Sequence, residues 1–453
     1  MACADTLHRD LDQMSTNVIW GRVASLSGGI ARIDGLGGLA CAGDSLVIDR
    51  ARGEPLRAEA IALEGRYVVA MTLGRADGAA VGDRVRLAQP VPARPGPGWL
   101  GCVLDAFGRR VDGTLPEGGL DEADLFASPP PAALRRALGD RLSSGMCAFD
   151  TLLPLCRGQR LGLFAGSGVG KSSLLGRLAR GVDADVVVVG LIGERGREVR
   201  AVVEEAIGPD ALDRCVVIVA TSDEPAPVKL RAARMALAAA ERFRDDGLNV
   251  LLLMDSLTRF AEAHREVALA AGETPSLRAY PPSTGAELAR LVERAGPGVG
   301  AAGDITAVFS VLVAGSDMDE PVADMVRGLL DGHVVLSRDI AERGRFPAID
   351  AARSVSRSLP KAASGDENAV ISETRSLIGK YEQIEPMVQA GLYAKGADPL
   401  ADRAIELYPA IDKFLAEEAD GPRGAFARLA GILGRDLARV GEDQADLGAR
   451  SES

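Results

Sequence analysis

The stretch GLFAGSGVGKSSLL (162–175) sets Gly166, Gly168 and Gly170 within five positions and follows them with Lys171, Ser172 and a second apolar run. Ordered glycine loses more backbone entropy than any other residue, so a cluster of them implies that something must come close to the backbone. The run QRLGLFA before it reads as a strand, and a helix is expected to begin near Lys171. Strand, glycine loop and helix, with Gly-Lys-Ser at the junction, is the setting of a P-loop, whose amides and helix N-terminus cradle the β- and γ-phosphates of a nucleotide. A bare Gly-rich turn would need neither the lysine nor the serine. The expected ATP-binding residues are therefore Gly166, Ser167, Gly168, Val169, Gly170, Lys171, Ser172 and Ser173. Lys171 would neutralise phosphate charge, and the Ser172 hydroxyl would ligate Mg²⁺. Ala165 stands where the strict pattern has its first glycine, which is the smallest departure available.

The flanking sequence agrees with such a loop. After Arg157, apolar runs (QRLGLFAG, DVVVVGLIG, RCVVIVATS, NVLLLMDS, DITAVFSVLVAG, HVVLSR) alternate with helix-like segments, of which KLRAARMALAAAERFRDDG (229–247) is the clearest. Strands alternating with helices predict an α/β fold with a parallel sheet covered on both faces. In NVLLLMDSLTRF (249–260) an apolar strand ends at Asp255, which puts a carboxylate at the carboxyl edge of the sheet, where such folds bind ligands. It could hold Mg²⁺. Glu194 and Arg195, in VVVVGLIGERGREVR (186–200), lie beyond another buried strand. A carboxylate there can polarise the water that attacks the γ-phosphorus, or it can simply open a solvated helix.

Upstream, from Trp20 to about Gln89, five short β-type runs are broken by Gly, Asp and Pro, which predicts a small barrel or sandwich. The hinge PVPARPGPGW (90–99) marks a boundary. Beyond about Lys361 the pattern is helical, and the polar end GEDQADLGARSES reads as disordered. The expected division is 1–92 (tail and β-barrel), 93–360 (P-loop ATPase domain) and 361–453 (helical domain with polar tail).

Composition excludes several classes. A net charge of −12 and aromatics at 4% speak against a protein that grips nucleic acid by basic patches or base stacking. The six cysteines are scattered, with no CxxC, as expected of buried thiols in a reducing compartment. The start, MACADTLHRDLDQMSTN, has no apolar signal core, and no apolar run is long enough to span a bilayer. A cytoplasmic location is expected.

Taken together, GLFAGSGVGKSSLL, LIGERGREVR, RAYPPS (278–283), LDGHVVLSRDIAERGRFPAID (330–350) and SVSR (354–357) resemble the flagellar and type III secretion export ATPases, relatives of the catalytic subunit of rotary ATP synthases. The resemblance implies a six-stranded barrel crowning a RecA-like ATPase domain and a C-terminal helical domain. It implies Mg-dependent ATP hydrolysis in a homohexamer, cytoplasmic and peripheral to the inner membrane, that energises protein export. Partners implied are a dimeric regulator at the N-terminus, a stalk protein in the ring pore, export gate membrane proteins, and chaperones with their substrates. By residue, it implies that Asp255 holds Mg²⁺ through water, that Glu194 activates the attacking water, and that Arg195 and Arg259 lie near the phosphates. Phe346 would pack on adenine, and Arg357 would be an arginine finger reaching a neighbouring subunit's site. Glu194 argues against a non-catalytic nucleotide-binding subunit, and GERGREV against the synthase subunit itself. GSDMDEPVADMVRGLLDGHVVLSR favours the flagellar over the virulence-type system. Cys147, in GMCAFDTLLP (145–154), stands where the family carries a basic residue.

Overall fold

The computed structural model describes residues 19–276, 279–313, 318 and 320–435. The expected polar tail, the segment expected to meet a regulator and part of RAYPPS lie outside the described residues.

Two compact units are formed. The first comprises the chain up to Pro92 with Asp223–Leu230 and Glu262–Thr284. In it, β1 (Trp20–Ser27), β2 (Ile30–Asp34), β3 (Ser45–Asp49), β4 (Leu56–Glu64), β5 (Tyr67–Thr72) and β6 (Arg84–Ala88) close a barrel in the order β1-β2-β5-β4-β3-β6. Closure leaves no strand edge exposed. Its core is built from alternating inward residues, among them Ala31 and Ile33 on β2 and Leu46 and Ile48 on β3. The single run EAIALEGRYVVAMTL supplies both β4 and β5, because the chain turns at Gly65 with φ +59°.

The second unit holds the sheet. Its strands are β7 (Cys102–Leu104), β8 (Arg160–Ala165), β9 (Val186–Glu194), β10 (Cys215–Thr221), β11 (Val250–Asp255), β12 (Ile305–Leu312), β13 (Gly332–Leu336) and β14 (Ile349–Ser356). They lie in the order β14-β13-β8-β12-β11-β9-β10-β7. Every neighbouring pair is parallel except β13 with β14. The sheet is therefore mixed at one edge, where β14 runs back along β13. Strands β9 and β11 are buried along their length, up to the half-buried Glu194, which explains their unbroken apolar text.

The α-helices longer than four residues are, in chain order, α1 (Lys171–Gly181), α2 (Gly196–Ala201), α3 (Ala226–Asp245), α4 (Leu257–Ala270), α5 (Ser283–Glu293), α6 (Pro321–Leu329) and α7 (Arg338–Glu342). Three more follow the sheet: α8 (Gly365–Gln389), α9 (Pro399–Ala416) and α10 (Pro422–Ile432). A capping box between Ser364 and Glu367 starts α8. Val370, Leu377, Phe414 and Phe426 of these last helices share one hydrophobic core with Leu161 and Leu163 of β8. Barrel, nucleotide-type sheet and C-terminal helices are thus the architecture expected from the sequence. Cys147 is fully buried, and its sulfur accepts from Arg428 of α10, which also donates to the Glu418 carbonyl at 2.6 Å. A guanidinium is thus present beside position 147, supplied by a distant element.

Candidate nucleotide-binding site

Strands β8, β9 and β11 end at one edge of the sheet, and each delivers one charged group there. After β8 the loop Gly166–Gly170 leads into α1, with Gly170 as its N-cap at φ +85°. Gly168, at φ +78°, is also left-handed, a conformation that favours glycine. Lys171, on the first turn, extends to the ends of the other two strands. Its Nζ lies 2.5 Å from Asp255 Oδ1 and 3.3 Å from Glu194 Oε1. All three are largely withdrawn from water, with side-chain exposures of 11% for Lys171, 12% for Glu194 and 2% for Asp255.

Burial governs the electrostatics. It works against the charge of Lys171, but the two carboxylates outweigh it and raise the ammonium pKa above its ordinary value. Glu194 is pushed up to about 7, first by burial and then by the Asp255 charge, with Lys171 opposing both. Two carboxylates thus share one cation in a poorly solvated pocket, an arrangement that binds further positive charge readily.

The other expected residues are distributed around this centre. Ser172 follows Lys171 on the half-buried first turn of α1, whereas Ser167 and Ser173 are exposed. Phe346, half exposed, lies against Gly170, so that a methyl added there would meet its ring carbons at 3.1 and 3.3 Å. Arg259 packs its aliphatic stem on Gly193, the residue before Glu194. Arg195 is mostly exposed and pairs with Glu198 at 3.3 Å, so it is not brought onto the Lys171 cluster. Nor is Arg357: it is exposed, and among the described residues its guanidinium has no hydrogen bond or ion pair. Two neighbours were not foreseen. Ser310 on β12 donates to Asp255 Oδ1 at 2.5 Å, and Arg338 on α7 donates to the Ser167 carbonyl at 3.4 Å. A lone serine inside the apolar run ITAVFSVL is the sequence signal that marks the first.

Residues 145–356 match the model of the ATP synthase alpha/beta family, nucleotide-binding domain, and residues 363–424 match that of the T3SS EscN ATPase C-terminal domain. The flagellum-specific ATP synthase of Caulobacter vibrioides is 45% identical over 434 residues, which span 93% of this chain and 98% of that protein. The chain belongs to the flagellar and type III secretion ATPase family. Another member, the type 3 secretion system ATPase of Xanthomonas euvesicatoria, is 41% identical over 92% of this chain and 93% of its own length. The assembled ATPase EscN from the type III secretion system of enteropathogenic E. coli superposes with a TM-score of 0.84 at 36% identity, covering 91% of this chain and all of that one. As an ATPase of this family the chain binds nucleotide and hydrolyses ATP in the service of type III export.

Proposed function

We propose that this chain is the ATPase of a flagellar export apparatus, working as a homohexamer with Mg²⁺ at sites between subunits. The observation that carries the proposal is the convergence of Lys171, Asp255 and Glu194 from three strand ends. The amides of the Gly166–Gly170 loop and the positive end of α1 hold the phosphates. Lys171, turned to the phosphates, neutralises their charge, and Phe346 supplies a face for the base. Glu194 in its carboxylate form accepts a hydrogen bond from the attacking water and orients it.

The residues present suit magnesium. A serine hydroxyl and a carboxylate are hard oxygen donors, and this ion ordinarily takes one or two such groups with phosphate and water. No group of three or more His, Cys, Asp or Glu that could hold a metal occurs among the described residues, as a cation shared with substrate requires none. Bound there, Mg²⁺ would neutralise charge on the bridging phosphate oxygens.

Arg357 supports the interface reading, since it is exposed, follows the edge strand β14 and is bonded to nothing through its guanidinium among the described residues. The resolved complex of EscN with its central stalk EscO favours the same plan here, with a stalk protein in the ring pore. A dimeric regulator, the export gate, chaperones and their substrates complete the proposed partners. The proposed seat is peripheral to the inner membrane; none of the described helices is long and apolar enough to cross a membrane.

A second reading, a virulence-type system, is favoured by the Xanthomonas relative and by EscN. Deleting the gene decides between them. Loss of swimming and of secreted filament protein, restored by the wild-type gene and not by Lys171→Ala, is expected; unimpaired swimming with loss of other secreted proteins would install the second reading.

A further inference from the structure

Strand β12 is buried from Ile305 to Val311, yet it carries a hydroxyl at Ser310 with no exposure. Burying a hydroxyl without a partner is costly, so such a group marks what it bonds to. Ser310 Oγ donates to Asp255 Oδ1 at 2.5 Å. The contact follows from the sheet: Met254 pairs with Phe309 in parallel register, so the next residues, Asp255 and Ser310, stand side by side on the same face. On its other flank Ser310 pairs with Leu163 of β8, the strand that feeds the P-loop.

The carboxylate receives its two hydrogen bonds unequally. Lys171 and Ser310 both donate to Oδ1, and Oδ2 accepts none among the described residues. With Lys171 committed to the phosphates, Ser310 is the donor that remains on Oδ1. We infer that Ser310 is a positioning residue, which fixes the Asp255 carboxylate so that Oδ2 is kept for the hydrated cation. The inference rests on the proposed role of Asp255. Partners one shell behind a metal-binding group commonly change metal affinity 10- to 100-fold.

The test is nucleotide affinity, measured with fluorescent ADP in EDTA and in Mg²⁺, for the full-length protein and its variants. Ser310→Ala should bind ADP in EDTA as the parent does, while the gain in affinity conferred by Mg²⁺ falls about 10-fold and the Mg²⁺ needed for half-maximal hydrolysis rises by a similar factor. Ser310→Thr should restore both, and Ser310→Cys, a weaker donor that keeps the volume, should lie between. An unchanged Mg²⁺ gain in Ser310→Ala overturns the inference. So does a parallel loss in EDTA and Mg²⁺, which is what a packing role would give. If Ser310→Ala does not fold, the Thr and Cys variants decide by the same criterion. Asp255→Asn separates the two levels: if it leaves the Mg²⁺ gain intact, the role of Asp255 itself fails. If it abolishes the gain while the Ser310 variants do not alter it, only the Ser310 inference fails.

Discussion

Arg357 and Lys171 lie at opposite ends of one sheet. Arg357 follows Ser356, which pairs with Gly332 at the amino end of β13, whereas Leu336 at the other end of β13 pairs with Ala165, where the P-loop begins. The two ends of β13 are four residue steps apart, about 13 Å at the usual rise. So placed, Arg357 is far from the phosphate loop of its own chain, which supports the proposed role at a neighbour's site. Glu194→Gln and Arg357→Ala should each lose about 10³-fold or more in turnover when assayed alone. Mixed and co-assembled, they should recover activity, because an Arg357→Ala subunit keeps Glu194 and a Glu194→Gln neighbour lends it Arg357. Silence in a mixture shown to co-assemble would return Arg357 to a role within its own chain.

If Glu194 orients the attacking water as proposed, it should set the acid limb of the pH profile. Its folded-state pKa is raised from 4.5 to about 7, so its carboxylate form accumulates only as pH rises through that value. The ratio kcat/KM reports the free enzyme and should climb over the same interval, then level off. Stability runs the other way. The folded chain keeps a proton that the unfolded chain releases near 4.5, so this contribution is complete below that pH and is lost as pH rises to about 7. The stability of the parent relative to Glu194→Gln should therefore fall between those limits. Thermal midpoints from pH 4 to 8 check it, and a pH-independent difference would exclude a titrating Glu194.

The two left-handed glycines of the loop are expected to differ. A Cβ at Gly168 meets no atom within 4 Å, so Gly168→Ala should cost only the left-handed strain, about 1–2 kcal/mol. At Gly170 the same strain applies, and the methyl also meets the Phe346 ring at 3.1 Å. Gly170→Ala should lower stability by roughly a further 1 kcal/mol, as overpacking does. Chemical denaturation of the two variants gives the comparison, and equal values would mean that Phe346 does not rest on Gly170.

What could be read from the sequence was mostly what lies close together in it. The P-loop is contiguous, and Asp255 and Glu194 each end an apolar run, so strand direction alone sends them to one edge. The contacts that were missed are set by pairing between distant segments. Ser310 meets Asp255 only because β12 inserts between β8 and β11, 55 residues from the group it serves. Arg428 reaches Cys147 across 281 residues. Strand β14, IDAARSVS, was hidden for another reason: small and charged residues on an edge strand give no apolar run to find.

Arg214 carries the last prediction. It precedes β10, and its guanidinium donates to the carbonyls of Ala179, Arg180 and Ala184 at 2.7, 2.9 and 2.9 Å, with a longer bond to Val182. These oxygens end the P-loop helix α1 and the turn after it, where a helix leaves carbonyls unsatisfied and concentrates negative charge. Arg214→Ala strands them in a half-buried setting and should cost about 1–3 kcal/mol of stability. Because the loss falls at the end of α1 remote from Lys171, KM for ATP should stay within twofold of the parent at temperatures where both are folded. Denaturant titration and steady-state kinetics on one preparation test both halves. A KM that rises while stability is unchanged would mean that Arg214 acts on the phosphate end of the helix instead of securing the other.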